Sequence, residues 1–249
     1  MLQKSRKITI LMLAIVAMYS IIANYSLVNA GAVYYFIVNP LFWIIFIGIT
    51  MIVTAKTSET TKMRDKIFEY TLIAGFVNIG IYIFSQLFIE IGKNPYSTSI
   101  KGILMNLYVY ILPIVMKEYT RFKLINNVYE KEKKSIAVIA TVIYILADIS
   151  TIDLTNSHNV IKFLFSNILP IISENVLCSY LAMNRLYKPA ICYRAIVKSY
   201  WFLSPILPKV PWTINSVVDT IVPVILFIYI RYLKKKNEVK KDRKEIEVT

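Results

Sequence analysis

The sequence predicts an all-α, polytopic integral membrane protein, and three observations predict it. Apolar residues fill 57% of the 249 positions and charged residues 18%, where soluble domains carry nearly half and about a quarter. Mean hydropathy is +0.56. The apolar residues fall in runs near the roughly 20 residues that a helix needs to cross a hydrocarbon layer about 30 Å thick, with the charges between the runs. Such a chain holds about eight membrane elements over residues 1–233: six regular spans, one broken or re-entrant element and a C-terminal span. Residues 234–249 read as a charged cytoplasmic tail or linker, and no soluble domain fits.

The net charge of +14 would suggest a nucleic-acid partner in a soluble protein. Here the cations lie where the positive-inside bias places them, so the implied partner is the lipid bilayer of the cell membrane and no nucleic acid is expected. Cys178 and Cys192 have neither metal-ligand spacing nor the density of a disulfide scaffold, and no cofactor is expected.

The first span runs from about Ile8 to Val28 behind Lys4, Arg6 and Lys7, which places the N-terminus in the cytoplasm. Its basic start resembles a signal peptide, and Asn29-Ala30-Gly31-Ala32 imitates a cleavage site. The run exceeds an ordinary signal h-region, however, which predicts a retained span. The second span, about Val33 to Ala55, is loaded with aromatics (Tyr34, Tyr35, Phe36, Trp43) and should kink at Asn39-Pro40. Lys56–Lys66 returns the chain to the basic side. In the third span, about Ile67 to Ile89, Gly75 and Gly80 permit close helix approach, and the Asn78 amide can bond across it.

An outer loop with turn chemistry at Lys93-Asn94-Pro95 precedes a short fourth span, about Gly102 to Met116, from whose end Lys117 and Arg121 are expected to snorkel. Residues 117–134 read as the longest internal loop, either solvated or an amphipathic surface helix. The fifth span, about Ser135 to Leu154, carries Asp148 and Asp153. The sixth, about Val160 to Met183, follows His158 and contains Lys162, Asn167, Glu174 and Asn175. Residues 189–211 hold Arg194 and Lys198 and then Pro205, Pro208 and Pro211, which argues for a broken or tilted seventh element capped by Pro and Trp. The last span, about Thr213 to Leu233, ends in a basic cluster. Of the 29 Lys and Arg, only Lys93, Lys101, Lys162 and Lys209 fall outside on this topology and Arg194 and Lys198 inside a hydrophobic stretch, which orients both termini inward. No internal repeat is convincing.

Ionisable residues in mid-membrane mark candidate sites by their cost of burial. Glu174 leads, and Arg194 and Lys198, four apart on one helical face, can present two cations to it. Asp148, Asn175 and Asp219 complete a candidate intramembrane polar cluster. The same pairs can instead hold broken helices together, and that alternative stays open. No catalytic or metal-binding residue is assigned. A prenyl-protein endopeptidase-like metal site would need paired glutamates and several histidines, whereas this chain has Ser173-Glu174 and His158 alone. A serine-lysine peptidase would need a folded outer domain that no predicted loop supplies.

The block ENVLCSYLAMNRLYKPAICYRAI, followed by SPILPKVPWTINSVVDTIVPVILFIYI, resembles the multi-span N-terminal membrane region of some Firmicutes-type signal peptidase I-like proteins over about residues 169–236. The shared order is a helix ending in a TYLA-like sequence, a tyrosine-arginine pair (Tyr193-Arg194) and a proline-spaced PILP segment. The catalytic portion that follows in those proteins has no counterpart here. The resemblance implies a non-catalytic scaffold or partner-binding module for a membrane protein or peptidase subunit. The alternative, drawn from proline-broken helices with buried charge, is a small-molecule or ion transporter. An intramembrane peptidase is the third reading.

Overall fold

A computed structural model describes residues 5–24, 31–59, 63–149 and 157–246. The helices are α1 (Arg6–Ile22), α2 (Asn39–Val53), α3 (Arg64–Ser85), α4 (Ile100–Asn106), α5 (Leu112–Asn126), α6 (Glu130–Asp148), α7 (Ser157–Phe163), α8 (Leu169–Met183), α9 (Lys188–Leu203) and α10 (Trp212–Ile246). Two short strands, β1 (Ile91–Lys93) and β2 (Ile206–Pro208), complete them. Among the described residues, five segments are long and apolar enough to cross a membrane: Tyr34–Val53, Arg64–Ser85, Ile100–Asn126, Asn159–Met183 and Trp212–Asn237. The cleavage-like stretch at Asn29-Ala30, Asp153 and the His158 side chain lie outside the described residues.

Three prolines shape the bundle in the same way. Pro40, Pro113 and Pro170 each sit at the second position of a 15-residue helix that follows a five-residue π-helical turn (Tyr34–Val38, Leu107–Ile111, Leu164–Ile168). Proline lacks a donor and its ring crowds the carbonyl four residues back. A π-turn relieves that crowding by widening the ladder, so the residue before each proline bonds five residues back: Asn39 to Tyr34, Leu112 to Leu107, and Leu169 to Leu164. The expected kink at Pro40 is therefore a π-bulge. The sequence expectation of no repeat is corrected here, because LYVYILP (107–113) and LFSNILP (164–170) share leucine, aromatic, isoleucine, leucine and proline at matching places.

These units stand side by side, α2 on α5 and α5 on α8, while α6 packs on α8 and α1, and α3 packs on α9 and α10. Trp43, Phe46, Phe122, Tyr144, Ala140 and Leu13 form one apolar core. Leu177, Leu181, Tyr193, Leu226 and Ile230 form a second. Gly75 faces Ile196 so closely that an added Cβ would stand 3.1 Å from its Cγ2, whereas Gly80 meets no neighbour. The first is the close approach the sequence anticipates; the second is not.

At the end bearing the basic turns, Asn127 ties three helices together. Its Oδ1 accepts from Ala55 N at 2.9 Å, its carbonyl accepts from Ser5 N at 2.9 Å, and its Nδ2 donates to Thr9 Oγ1 at 3.2 Å. At the opposite end β1 and β2 pair antiparallel, Ile91 opposite Pro208 and Lys93 opposite Ile206. Asn94 Nδ2 locks the pair by donating to the carbonyls of Ser204 (2.5 Å) and Trp201 (3.0 Å).

Three expectations change. Residues 117–134, expected as a solvated loop or an amphipathic surface helix, are instead the buried end of α5 as far as Asn126, with Lys117, Glu118, Thr120 and Arg121 buried, and the start of α6 from Glu130. Lys117 and Arg121 accordingly do not snorkel. The seventh element is unbroken over Lys188–Leu203, and the three prolines come after it, where β2 and the start of α10 need no helical donor. The tail continues α10 in helical form to Ile246.

Replacing Asn127 with alanine strips the partner from the buried Ala55 N–H, while Thr9 Oγ1 keeps its bond to the Ser5 carbonyl, and leaving such a buried polar group unpaired costs about 1–3 kcal/mol. Thermal unfolding in detergent should show a lower midpoint for Asn127→Ala, and an unchanged midpoint would disprove the tie.

Candidate functional site

The site is built around one guanidinium. Arg194 projects from α9 and meets carboxylates from three other helices. Nη1 donates to Glu118 Oε1 of α5 at 2.6 Å, Nη2 to Asp148 Oδ2 of α6 at 2.8 Å, and Nε lies 3.2 Å from Glu174 Oε1 of α8. Arginine suits this place because its planar fork stays charged and points several donors in fixed directions. A lysine ammonium has three donors on one compact, rotatable head and does not present that wide, fixed fork.

Around this centre the pairing continues. Lys117 Nζ donates to Asp148 Oδ1 and lies 5.3 Å from the centre of the Trp43 ring. Arg121, fully buried, lies 3.3 Å from Glu118 Oε1 and 4.3 Å from the centre of the Tyr144 ring. Its other donors reach Asn175 Oδ1, the Asn175 carbonyl at 3.0 Å and Ser179 Oγ at 3.3 Å. Asn175 Nδ2 in turn donates to Asp148 Oδ2 at 2.9 Å. Three cations (Lys117, Arg121, Arg194) thus oppose three carboxylates (Glu118, Asp148, Glu174), and the buried cluster is electrically balanced.

Beside the network lies a cavity of about 490 Å³. All three π-turn and proline junctions contribute to its wall, through Tyr34 and Asn39, Tyr110 and Pro113, and Asn167 and Pro170. Lys117, Asp148, Glu174, Arg194, Lys198 and Asp219 supply its charges. Widened turns of this kind recur at functional sites because they turn polar backbone and side chains out of the regular ladder.

Of the six residues singled out from the sequence, Glu174, Arg194, Lys198, Asp148 and Asp219 line the cavity. Asn175 stands behind, orienting Asp148 and Arg121. The Glu174 to Arg194 contact expected across antiparallel helices is present, and Asp148 is a partner of Arg194. Asp219 is not: it accepts from Asn78 Nδ2 at 3.2 Å, so that the asparagine bonds across helices, though to α10 rather than across the Gly75 contact with α9. Lys198 reaches only to 3.9 Å of Glu174 Oε2, with its side chain 40% exposed.

Sequence reasoning missed Lys117, Glu118 and Arg121, which it placed at the surface. The repeated heptads carry a signal for two of them: aligned on Pro113 and Pro170, Lys117 falls on Glu174 and Glu118 on Asn175, whereas Arg121 falls on Cys178. Comparison with family models, with curated proteins and with solved structures returned no match.

Arg194→Met leaves three buried carboxylates around the space of a lost cation and should destabilise the bundle by about 3–5 kcal/mol, whereas Lys198→Met breaks a long, half-exposed contact worth less than about 1 kcal/mol. Denaturant unfolding of both variants in detergent separates the roles. Equal losses would refute the assignment of Arg194 as the organising charge.

Proposed function

We propose that the chain is a multi-pass cell-membrane protein that binds a small polar solute bearing an anionic group and carries it across the bilayer by alternating access. The supporting observation is the cavity of about 490 Å³ walled by six charged side chains at the junctions of interrupted helices. Ionisable groups are expensive in a membrane and are retained where a pathway or a site needs them. Transporters place such sites where helices are interrupted, and many are assembled from structural repeats. The three π-turn and proline units supply both features.

Within the cavity the roles divide. Arg194 and its carboxylates fix the wall and keep their charges mutually satisfied. Lys198 is the cation held least tightly, so an incoming carboxylate or phosphate oxygen gains its ammonium without dismantling the cluster. Tyr34, Tyr110 and Phe202 sit along the helix halves remote from the basic turns. The positive-inside bias supports a reading of eight membrane elements with both termini in the cytoplasm.

A second reading, a scaffold for a peptidase-bearing partner of the signal-peptidase-like kind, is favoured by a different feature. An apolar groove of about 660 Å³ runs between α3 and α9, lined by Phe76, Ile79, Ile83, Ile196 and Leu203, and suits a hydrophobic segment.

Purified chain in proteoliposomes should show saturable uptake from a mixture of radiolabelled amino acids and dicarboxylates. Lys198→Met should cut it about tenfold, the loss of one charge-assisted hydrogen bond, while leaving the melting temperature in place. No saturable uptake by the wild type, together with co-purification of a Ser-Lys peptidase, would replace the transport reading with the scaffold.

A further inference from the structure

Where α3 meets α10, buried oxygens gather without donors to serve them. The two helices run antiparallel: the Tyr70 ring meets the Tyr229 ring edge-on at 4.9 Å, and farther along Asn78 Nδ2 donates to Asp219 Oδ1 at 3.2 Å. The bond turns the amide nitrogen to the carboxylate and so fixes the other amide atom as the oxygen. That Asn78 Oδ1 has no donor, although the residue is only 1% exposed. Asn215 stands four residues before Asp219 and therefore on the same face of α10, which in an antiparallel pair brings it near the level of Tyr82. Its Oδ1 is also buried and without a donor. Tyr82, fully buried, turns its hydroxyl toward the Asp219 carboxylate.

Asp219 also differs from the other carboxylates of the cavity. Asp148 is paired with Lys117 and Arg194, and Glu174 with Arg194 and, at longer range, Lys198. Asp219 has no ion pair among the described residues, and the groups turned to it, an amide and a phenol, are neutral. An ionisable group kept in a membrane interior without a counter-ion marks an ion site or pathway by its cost. A buried amide oxygen without a donor adds a cost of its own. One cation removes both, because it takes lone pairs from carboxylate and amide oxygens alike.

We propose that Asp219, Asn78 and Asn215 hold a sodium ion beside the solute cavity. The ligands are all oxygens, which selects a hard cation. A single carboxylate offsets a single positive charge, whereas divalent ions draw on more carboxylates or on substrate phosphates. Sodium needs fewer oxygens around it than the larger potassium ion. Asp219 lines the cavity, so the ion and the solute share one chamber. Lys198 and Asp219 add one charge of each sign to the balanced Arg194 cluster, which leaves that chamber neutral. A bound sodium ion makes it positive by one, and an anionic group at Lys198 restores the balance. Each ligand thereby favours the other, as linkage requires. This coupling rests on the transport reading; the sodium site itself does not.

The full chain in detergent is melted in sodium, potassium or choline chloride at one total salt concentration. Wild type should show a saturable rise in melting temperature with sodium and none with potassium. Asp219→Asn keeps the size of the side chain and an oxygen for Asn78 Nδ2 but removes the charge. It should melt at or above the wild-type temperature in choline and lose the sodium response. Asn78→Leu should raise the sodium concentration needed roughly tenfold, the effect of one ligand oxygen. Lys198→Met, which removes no ligand, should respond to sodium at least as strongly as wild type. Identical wild-type melting in the three salts would overturn the site, as would an undiminished sodium response in Asp219→Asn. In proteoliposomes, uptake that persists when choline replaces sodium would overturn the coupling. Absence of all uptake with the sodium response intact would fall on the transport reading alone.

Discussion

One buried arginine constrains the bundle. Arg194 cannot lose its proton, and a low-dielectric interior penalises an unpaired charge by several kcal/mol. Three helices must therefore bring carboxylates to it, and once they do, those carboxylates set the positions of α5, α6 and α8 relative to α9. Lys117 and Arg121 then balance the two anions that one guanidinium cannot neutralise. Each member is indispensable for the same reason: removing any one leaves another buried without a counter-charge. A well-packed apolar core would give comparable stability at less risk, so stability alone does not account for the balanced cluster.

The prolines make room for a cavity beside that cluster. A regular helix presents no polar backbone to a neighbour, and a membrane interior tolerates irregular backbone only against protein or water. Placing a π-turn ahead of Pro40, Pro113 and Pro170 shifts the register of each helix while keeping the residue before each proline hydrogen-bonded. Because the three units lie side by side, their shifted turns open one shared cavity next to the Arg194 cluster. The strands β1 and β2 hold the same end of α3, α9 and α10 together, so the prolines of the PILP segment serve an extended cap.

Part of this was legible in the sequence. The apolar runs predict about eight membrane elements, of which five are helices long and apolar enough to cross a membrane among the described residues, and the cost of burying charge singles out Glu174, Arg194 and Asp148 before any contact is seen. The end of α5 was not legible by that route. Lys117, Glu118 and Arg121 follow a short apolar run and are flanked by further charges, a pattern that hydropathy reads as a loop. Their partners, Asp148 on α6 for Lys117, Arg194 on α9 for Glu118 and Asn175 on α8 for Arg121, make burial affordable, and they lie 31, 76 and 54 positions away along the chain. The proline repeat was visible as letters but had no weight until the π-turns gave it a shape.

The central claim is that Arg194 and the carboxylates facing it form one energetic unit. A double-mutant cycle tests it most directly, comparing wild type, Arg194→Met, Glu118→Gln and the double variant by reversible unfolding in detergent or bilayers. The account predicts a coupling energy of at least about 1.5 kcal/mol, with the double variant recovering much of what either single change loses. A coupling within about 0.5 kcal/mol of zero would mean that the two groups act independently, and the ionic centre would cease to explain the fold or the cavity beside it.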